Sequence, residues 1–71
     1  AKLLHGERVR GKILGIVGLG KIGAATALRA KAFGINVIFY DPFIGDGMDK
    51  LLGIRRVSSL KELISEADVI R

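Results

Sequence analysis

Three glycines follow directly on a short apolar run, and this junction constrains the fold more than any other part of the chain. The run KILGIV at 12–17 has the length and the β-branched content of a buried strand. After Gly18, Gly20 and Gly23, the segment AATALRAKAF is rich in strong helix formers and contains no proline. A strand can enter a helix so abruptly only through a sharp turn, which Gly18 permits, while Gly23 lets the helix lie close to the strand. We therefore predict a strand, a tight turn and a helix over residues 12–33.

The remainder of the chain repeats this alternation of strand and helix. Gly34 stands where a helix C-terminal glycine belongs, and INVIFY at 35–40 predicts a second strand. Asp46 is expected to cap a short helix that Gly53 ends. Strands that alternate with helices predict an α/β fold with a parallel sheet and right-handed crossovers. The further predicted segments are a helix at 47–52, a strand at 54–57, a helix at 60–67 and a fourth strand from residue 68, which gives the order β-α-β-α-β-α-β.

Apolar periodicity assigns a buried face to two of the helices. In the first helix, Ala25, Leu28 and Ala32 fall on one face, and we expect this face to lie on the sheet. In the last helix, Ser59 and Glu62 match a capping box. The apolar face predicted for that helix consists of Leu60, Leu63, Ile64 and Ala67.

The glycine junction also indicates a ligand. A side chain at Gly20 would stand between the backbone and a bound group, so glycine there permits close approach. The N-terminus of the following helix carries unpaired N–H groups and about half a positive charge, which suits a pyrophosphate. This is the dinucleotide-binding fingerprint, and the strand–turn–helix context makes it specific. The alternative is a glycine-rich turn in an α/β protein without a ligand.

Asp41 ends the second predicted strand, 18 residues after Gly23, close to the spacing of about 20 residues expected for an acid that binds ribose hydroxyls. Its carboxylate would repel the 2′-phosphate of NADP, and no arginine occurs at 42–44 to neutralise that phosphate, so NAD is favoured. The alternative for Asp41 is an ordinary Asp-Pro turn. Lys21 either screens the pyrophosphate or is a solvated surface lysine.

The composition of the 71-residue chain narrows the classes of function. Cysteine is absent and the single histidine, His5, is expected to be exposed, so neither a disulfide nor a zinc site is predicted. The net charge of +5 arises in residues 1–31, where seven basic side chains outnumber one acidic side chain. Without a basic run or interleaved aromatic residues, nucleic-acid binding is not predicted. Arg55 and Arg56 are expected on a solvated strand edge, with an anionic partner as the alternative.

No apolar stretch approaches the length of about 20 residues that a membrane helix needs, and no signal peptide is recognised. Because cysteine is also absent, we expect a cytoplasmic or nuclear protein. Residues 1–11 are expected to form a helix end and a loop that lead into the first strand.

The segment GKILGIVGLGKIGAATALRAKAFGINVIFYDP resembles the NAD-binding region of the D-isomer-specific 2-hydroxyacid dehydrogenases. The segment ALRAKAFGINVIFYDPFIGDGMDKLLGIRRVSSLKELISEADVI is particularly similar to the C-terminal binding proteins, which are NAD-binding transcriptional corepressors built on the dehydrogenase fold. The resemblance covers residues from about 8 to 70. Together with the motif, it implies that the cofactor contacts are Gly18, Leu19, Gly20, Lys21, Ile22, Gly23 and Asp41.

The resemblance also implies what this chain does not contain. The family's catalytic arginine, glutamate and histidine are expected beyond residue 71, so no catalytic residue is predicted here and no turnover is expected from these residues alone. We interpret residues 1–71 as the first half of a Rossmann-type doubly wound sheet, a partial NAD-binding domain of a longer protein.

The whole protein is then expected to be an oxidoreductase that transfers a hydride between NAD and a small 2-hydroxy or 2-keto acid, and to form a homodimer. One alternative is a corepressor of the C-terminal binding protein type, in which NAD binding sets conformation and dimerisation. Another is a stand-alone nucleotide-binding half-domain.

Overall fold

The structure is a computed structural model that describes residues 11–71. The helix end and loop predicted over 1–11 therefore lie, apart from Gly11, outside the described residues, as does His5. Within the described part, no helix has both the length and the apolar character needed to cross a membrane.

Strands and helices alternate along the chain as predicted, with bounds that differ from the predicted ones by a residue or two. The elements are β1 Ile13–Val17, α1 Lys21–Ala32, β2 Asn36–Tyr40, α2 Met48–Leu52, β3 Arg55–Arg56, α3 Leu60–Glu66 and β4 Val69–Ile70. The four strands form one parallel sheet in the order β3-β2-β1-β4. This order confirms the prediction of an α/β fold with a Rossmann-type parallel sheet.

Each face of the sheet carries its own core, because successive side chains of a strand point to opposite faces. Leu14 and Ile16 of β1 and Val37 and Phe39 of β2 belong to the larger core, which α1 and α2 cover. The alternate residues of the same strands face α3. The core on that face is formed by Ile38, Val57 and Leu63, with Ile13, Tyr40 and Ala67 packed against it.

The buried face of α1 differs from the predicted one. Ala27 and Ala30 are buried, whereas Leu28 is half exposed and Ala25 and Ala32 are exposed. The cause is the entry of the helix at Gly23, where an added Cβ would lie 2.7 Å from the carbonyl oxygen of Gly18. This contact directs position 23 at the strand, so residues four and seven positions later share its face.

The ends of α1 and α2 show which of the predicted caps form. After α1, Gly34 takes a positive φ of 82°, and its N–H and that of Ile35 donate to carbonyls of the last helical turn, as in a Schellman motif. Gly53 ends α2 at a φ of 66°, as predicted. The predicted Asp46 cap is wrong, because Gly47 occupies the N-cap with a φ of 104° and no side chain caps the helix. Asp46 lies one residue earlier.

The Ser59 cap of α3 forms, since the N–H of Glu62 donates to Ser59 Oγ at 3.0 Å. The returning contact differs from a regular capping box, because the Glu62 carboxylate accepts from the N–H of Ser58 instead of that of Ser59. Of the predicted apolar face, Leu63 and Ala67 contact the sheet while Leu60 and Ile64 remain about half exposed.

Gly15 in the middle of β1 sets how closely α3 lies on the sheet. A Cβ added at Gly15 would lie 2.7 Å from Leu63 Cδ2 and 2.8 Å from Ala67 Cβ. Neither distance is compatible with a side chain, so α3 occupies the space that a side chain at position 15 would need.

Candidate functional site

The glycine turn lies beside β1, where the direction in which strands are added to the sheet reverses. The chain adds β2 and then β3 on one side of β1, and then crosses to add β4 on the other side. In open parallel sheets, ligands bind outside the carboxyl ends of the strands at such a switch point. The turn at 18–20 follows the carboxyl end of β1, beside a cleft of about 500 Å³ lined by 16–18, 20–23, Thr26 and Arg71.

The three glycines of the turn meet three different spatial requirements. Gly18 has a φ of 84°, in the left-handed region that favours glycine, and its N–H donates to the carbonyl of Tyr40 at 2.9 Å. A Cβ added at Gly20 would have no atom within 4 Å, so the space above this residue is open. Gly23 is closed in by the Gly18 carbonyl and by Ile16.

The N-terminus of α1 faces this open space. The helix begins at Lys21 after the N-cap Gly20, and its first turn contains no acidic side chain. The first amides of an α-helix have no partner within the helix and carry the positive end of its dipole. Lys21 and Ile22 are both exposed there. The arrangement can therefore bind an anion through backbone N–H groups, with a lysine at its edge.

Asp41 joins the glycine turn to the loop that follows β2. Its Oδ2 accepts a hydrogen bond from the N–H of Leu19 at 2.8 Å, and its Oδ1 accepts one from the N–H of Phe43 at 2.9 Å. The Leu19 side chain itself is buried in the larger core. The acid at the end of β2 and the turn at the end of β1 therefore meet at one point of the sheet edge.

These contacts bear on the charge of Asp41. The hydrogen bond from the Phe43 N–H, followed by that from Leu19, holds the pKa of the Asp41 carboxyl below its ordinary value, and the nearby guanidinium of Arg56 acts in the same direction. Partial desolvation opposes the shift without reversing it. Asp41 is thus a carboxylate at neutral pH, with two oxygens that retain accepting capacity beyond the two backbone bonds.

A family model described as D-isomer specific 2-hydroxyacid dehydrogenase, NAD binding domain, matches residues 1–71. The chain belongs to this family. Its cofactor is accordingly NAD, and its place within the family's fold is the NAD-binding domain.

Relatives and solved structures agree with this assignment. The NAD-binding domain is 52% identical over 64 residues to C-terminal-binding protein 1 of Caenorhabditis elegans, covering 90% of this chain and 9% of that protein. It is 44% identical over 69 residues to D-3-phosphoglycerate dehydrogenase of Methanocaldococcus jannaschii, covering 97% of this chain and 13% of that protein. The crystal structure of the holo form of D-mandelate dehydrogenase from Rhodotorula graminis matches with a TM-score of 0.76 at 38% identity, covering 87% of this chain and 19% of that one.

The NAD-binding domain brings the residues predicted from its sequence into one region. Gly18, Gly20, Lys21, Ile22 and Gly23 all line the cleft. Leu19 does not line it, and Asp41 contacts the turn from the side. The open space over the turn, the first amides of α1 and the carboxylate beside them fit the pyrophosphate and adenosine ribose of NAD. Of the aromatic residues near the site, Tyr40 packs against the smaller core and Phe43 is exposed.

The two neighbouring arginines of β3 differ in a way that was not predicted from the sequence. The expectation of a solvated strand edge holds for Arg55, whose guanidinium contacts the Glu66 carboxylate near the surface. Arg56 instead turns inward and bonds carbonyl groups of the loop after β2. The two-residue period of a strand could have indicated this, because adjacent side chains point to opposite faces. Thr26 and Arg71 also line the cleft. Neither position belongs to the glycine motif, so the motif could not predict their place there.

Proposed function

We propose that the turn at 18–23 and Asp41 hold the two ends of the adenosine diphosphate part of NAD. The pyrophosphate lies over Gly20 and accepts hydrogen bonds from the first amides of α1, with Lys21 as a nearby positive charge. Leu19 and Ile22 contribute through their backbone, while Gly18 and Gly23 shape the turn. The observation that carries the proposal is the hydrogen bond from the Leu19 N–H to Asp41, because it brings the acid to the phosphate-binding turn.

Asp41 selects NAD over NADP in this proposal. Two of its lone-pair positions accept backbone N–H groups, and the remaining ones accept the ribose hydroxyls. A 2′-phosphate would place a negative group against a carboxylate that stays ionised. Preference for NAD therefore follows from charge as well as from hydrogen bonding.

We further propose that the whole protein is an oxidoreductase of the CH–OH group of 2-hydroxy acids. When bound, NAD supplies the hydride acceptor, and the residues described here bind and orient its adenosine end. The chain spans about a tenth of the length of the curated relatives it matches, so the substrate, a small 2-hydroxy or 2-keto acid, is part of the proposal. So are a homodimeric assembly and a cytoplasmic or nuclear location.

A second candidate function has its own observation. The identity of 52% to C-terminal-binding protein 1 exceeds that to the phosphoglycerate dehydrogenase. The higher identity favours a role in which NAD binding sets the conformation of a transcriptional corepressor instead of supporting metabolic flux. Binding of short peptides containing Pro-Leu by the whole protein would distinguish this role from that of a dehydrogenase.

The test is a titration of the 15N-labelled 71-residue chain with NAD and, in parallel, with NADP. We expect NAD to shift the amide resonances of 18–23 and Asp41, and NADP to do so only weakly. Gly20→Arg should abolish the shifts because its side chain would fill the open space over the turn. Ala25→Arg is the matched control, since it adds the same charge on an exposed position of α1 outside the cleft. Equal responses to NAD in the two variants would contradict the proposed site.

A further inference from the structure

The guanidinium of Arg56 lies within the loop that follows β2, although Arg56 itself belongs to β3. Its Nη2 donates hydrogen bonds to the carbonyl oxygens of Asp41 at 2.6 Å and Ile44 at 2.9 Å. Its Nη1 donates to the carbonyl oxygen of Gly45 at 3.2 Å. The guanidinium carbon lies 5.7 Å from the centroid of the Phe39 ring, and the side chain is only 25% exposed. One side chain therefore holds three carbonyl groups of a single loop.

The loop that Arg56 holds is the one that orients Asp41. The backbone carbonyl of Asp41 accepts from Arg56, while its carboxylate accepts from the N–H groups of Leu19 and Phe43. These three contacts fix both the backbone and the side chain of one residue. A continuous set of hydrogen bonds thus runs from β3, through Asp41, to the glycine turn after β1.

We propose that Arg56 is a positioning residue for the adenosine-ribose site. By bonding the carbonyls at 41, 44 and 45, it keeps the loop in the conformation in which the Asp41 carboxylate meets both the glycine turn and the ribose. The inference rests on the proposed function, since it concerns the same ribose contact. Arginine suits this role because its planar fork presents five donors in a fixed arrangement. A lysine at this position would keep the charge but could not reproduce the fork.

The same contacts bear on cofactor preference. Arg56 is the arginine whose guanidinium contacts the Asp41 segment, and an arginine near the ribose is the feature that accommodates the 2′-phosphate of NADP. Its donors are directed at backbone carbonyls of 41–45. The Arg56 donors are therefore occupied by the Asp41 loop and are not available to a 2′-phosphate. The Asp41 carboxylate then determines the charge beside the ribose.

Arg55 is a matched control for Arg56. It is the same residue type on the same strand, but its side chain is 52% exposed and contacts the Glu66 carboxylate instead of the loop. A change at Arg55 removes the same charge from the neighbouring position of β3, but it removes no hydrogen bond to the loop that carries Asp41.

The first measurement is made on the ligand-free 71-residue chain. We expect Arg56→Met and Arg56→Lys to shift the amide resonances of Leu19 and Phe43, the two donors to Asp41, more than Arg55→Met does. If the methionine variant fails to fold, Arg56→Lys still tests the fork, because it retains charge and length. Amide shifts at Leu19 and Phe43 that equal those of Arg55→Met would overturn the proposal, whether or not the chain binds NAD.

The second measurement is NAD affinity in a double-mutant cycle. We expect Arg56→Met and Arg56→Lys each to raise the dissociation constant about fivefold or more, and Arg55→Met to change it by less than about twofold. In an Asp41→Asn background, the effect of Arg56→Met should fall below about twofold, because the side chain through which Arg56 acts has changed. A purely structural contribution of Arg56 would lower affinity by the same factor in both backgrounds.

The outcomes separate the two proposals. If the wild-type chain binds NAD and the Arg56 variants bind it as the Arg55 variant does, only the role of Arg56 is overturned. If Arg56→Lys binds like wild type while Arg56→Met does not, charge and not the fork is responsible, and the proposal is again wrong. If the folded wild-type chain does not respond to NAD, the proposed function fails, while the amide shifts still report whether Arg56 orients Asp41.

Discussion

At the scale of single residues, Asp41 is the group whose charge links the proposed cofactor site to the stability of the fold. Its pKa is lowered in the folded state, chiefly by the N–H groups of Phe43 and Leu19. A carboxyl with a lowered folded pKa stabilises the fold fully above its unfolded value of about 3.9, and this stabilisation is lost as the pH falls through the folded value. Asp41 should therefore make the chain more stable at neutral pH than in acid.

We expect Asp41→Asn to be less stable than wild type at about pH 5 and above, with the difference narrowing as the pH falls towards about 2. Urea-unfolding midpoints of both chains across this range measure it. Asp46→Asn is the control, because the Asp46 side chain is fully exposed and its ion pair with Arg56 Nη1, at 3.7 Å, is a surface pair that contributes little to stability. A difference between wild type and Asp41→Asn that does not change with pH would show that ionisation of Asp41 does not contribute.

At the scale of elements, Gly15 determines how α3 packs on β1. We expect Gly15→Ala to destabilise the chain by about 1–3 kcal/mol, because the new methyl group would overlap Leu63 and Ala67 and displace α3. The free energy of unfolding in urea measures the effect. Gly45→Ala is the matched control, since its methyl group enters open space at a residue whose φ is not positive, and it should stay within about 0.5 kcal/mol of wild type. Equal losses in the two variants would contradict this account of the packing.

The elements themselves were predictable, but the faces they bury were less so. Alternating apolar and polar segments, with Gly34 and Gly53 as helix ends, were sufficient to place all the strands and helices of the described part. The face of α1 was predicted wrongly because alanine is frequent along the whole helix and gives periodicity little contrast. What fixed the face was a backbone contact at Gly23, which apolar periodicity does not record.

At the scale of the whole molecule, binding of NAD should stabilise the fold, because the proposed site is formed by the assembled sheet edge and is absent from the unfolded chain. At a free NAD concentration of about 100 times the dissociation constant, the gain is about 2.7 kcal/mol. For a domain of this size, that corresponds to a rise in Tm of about 10–20 °C. Thermal unfolding followed by circular dichroism measures it, with NADP at the same concentration as the control. An equal rise with NADP would contradict selection by Asp41.

The residues of the candidate site differ in how far the sequence alone could predict them. The glycine turn and Asp41 could be proposed as a cofactor site from the sequence because a dinucleotide site needs particular residue types at nearly fixed spacing. Arg56 could not be found in this way, since its role depends on a loop of backbone carbonyls brought to it by the pairing of β3 with β2. Contacts made to the backbone impose no residue type on the partner segment, and so they leave no pattern there.

The close packing of α3 over Gly15 limits how this sequence can change during evolution. A side chain at position 15 fits without displacing α3 only after the residues above it, at 63 and 67, have become smaller. Such a smaller residue is itself costly while position 15 is still glycine, because it leaves a void. Few orders of substitution at these three positions therefore avoid a loss of stability. Descendants in which position 15 is no longer glycine should also carry replacements in α3.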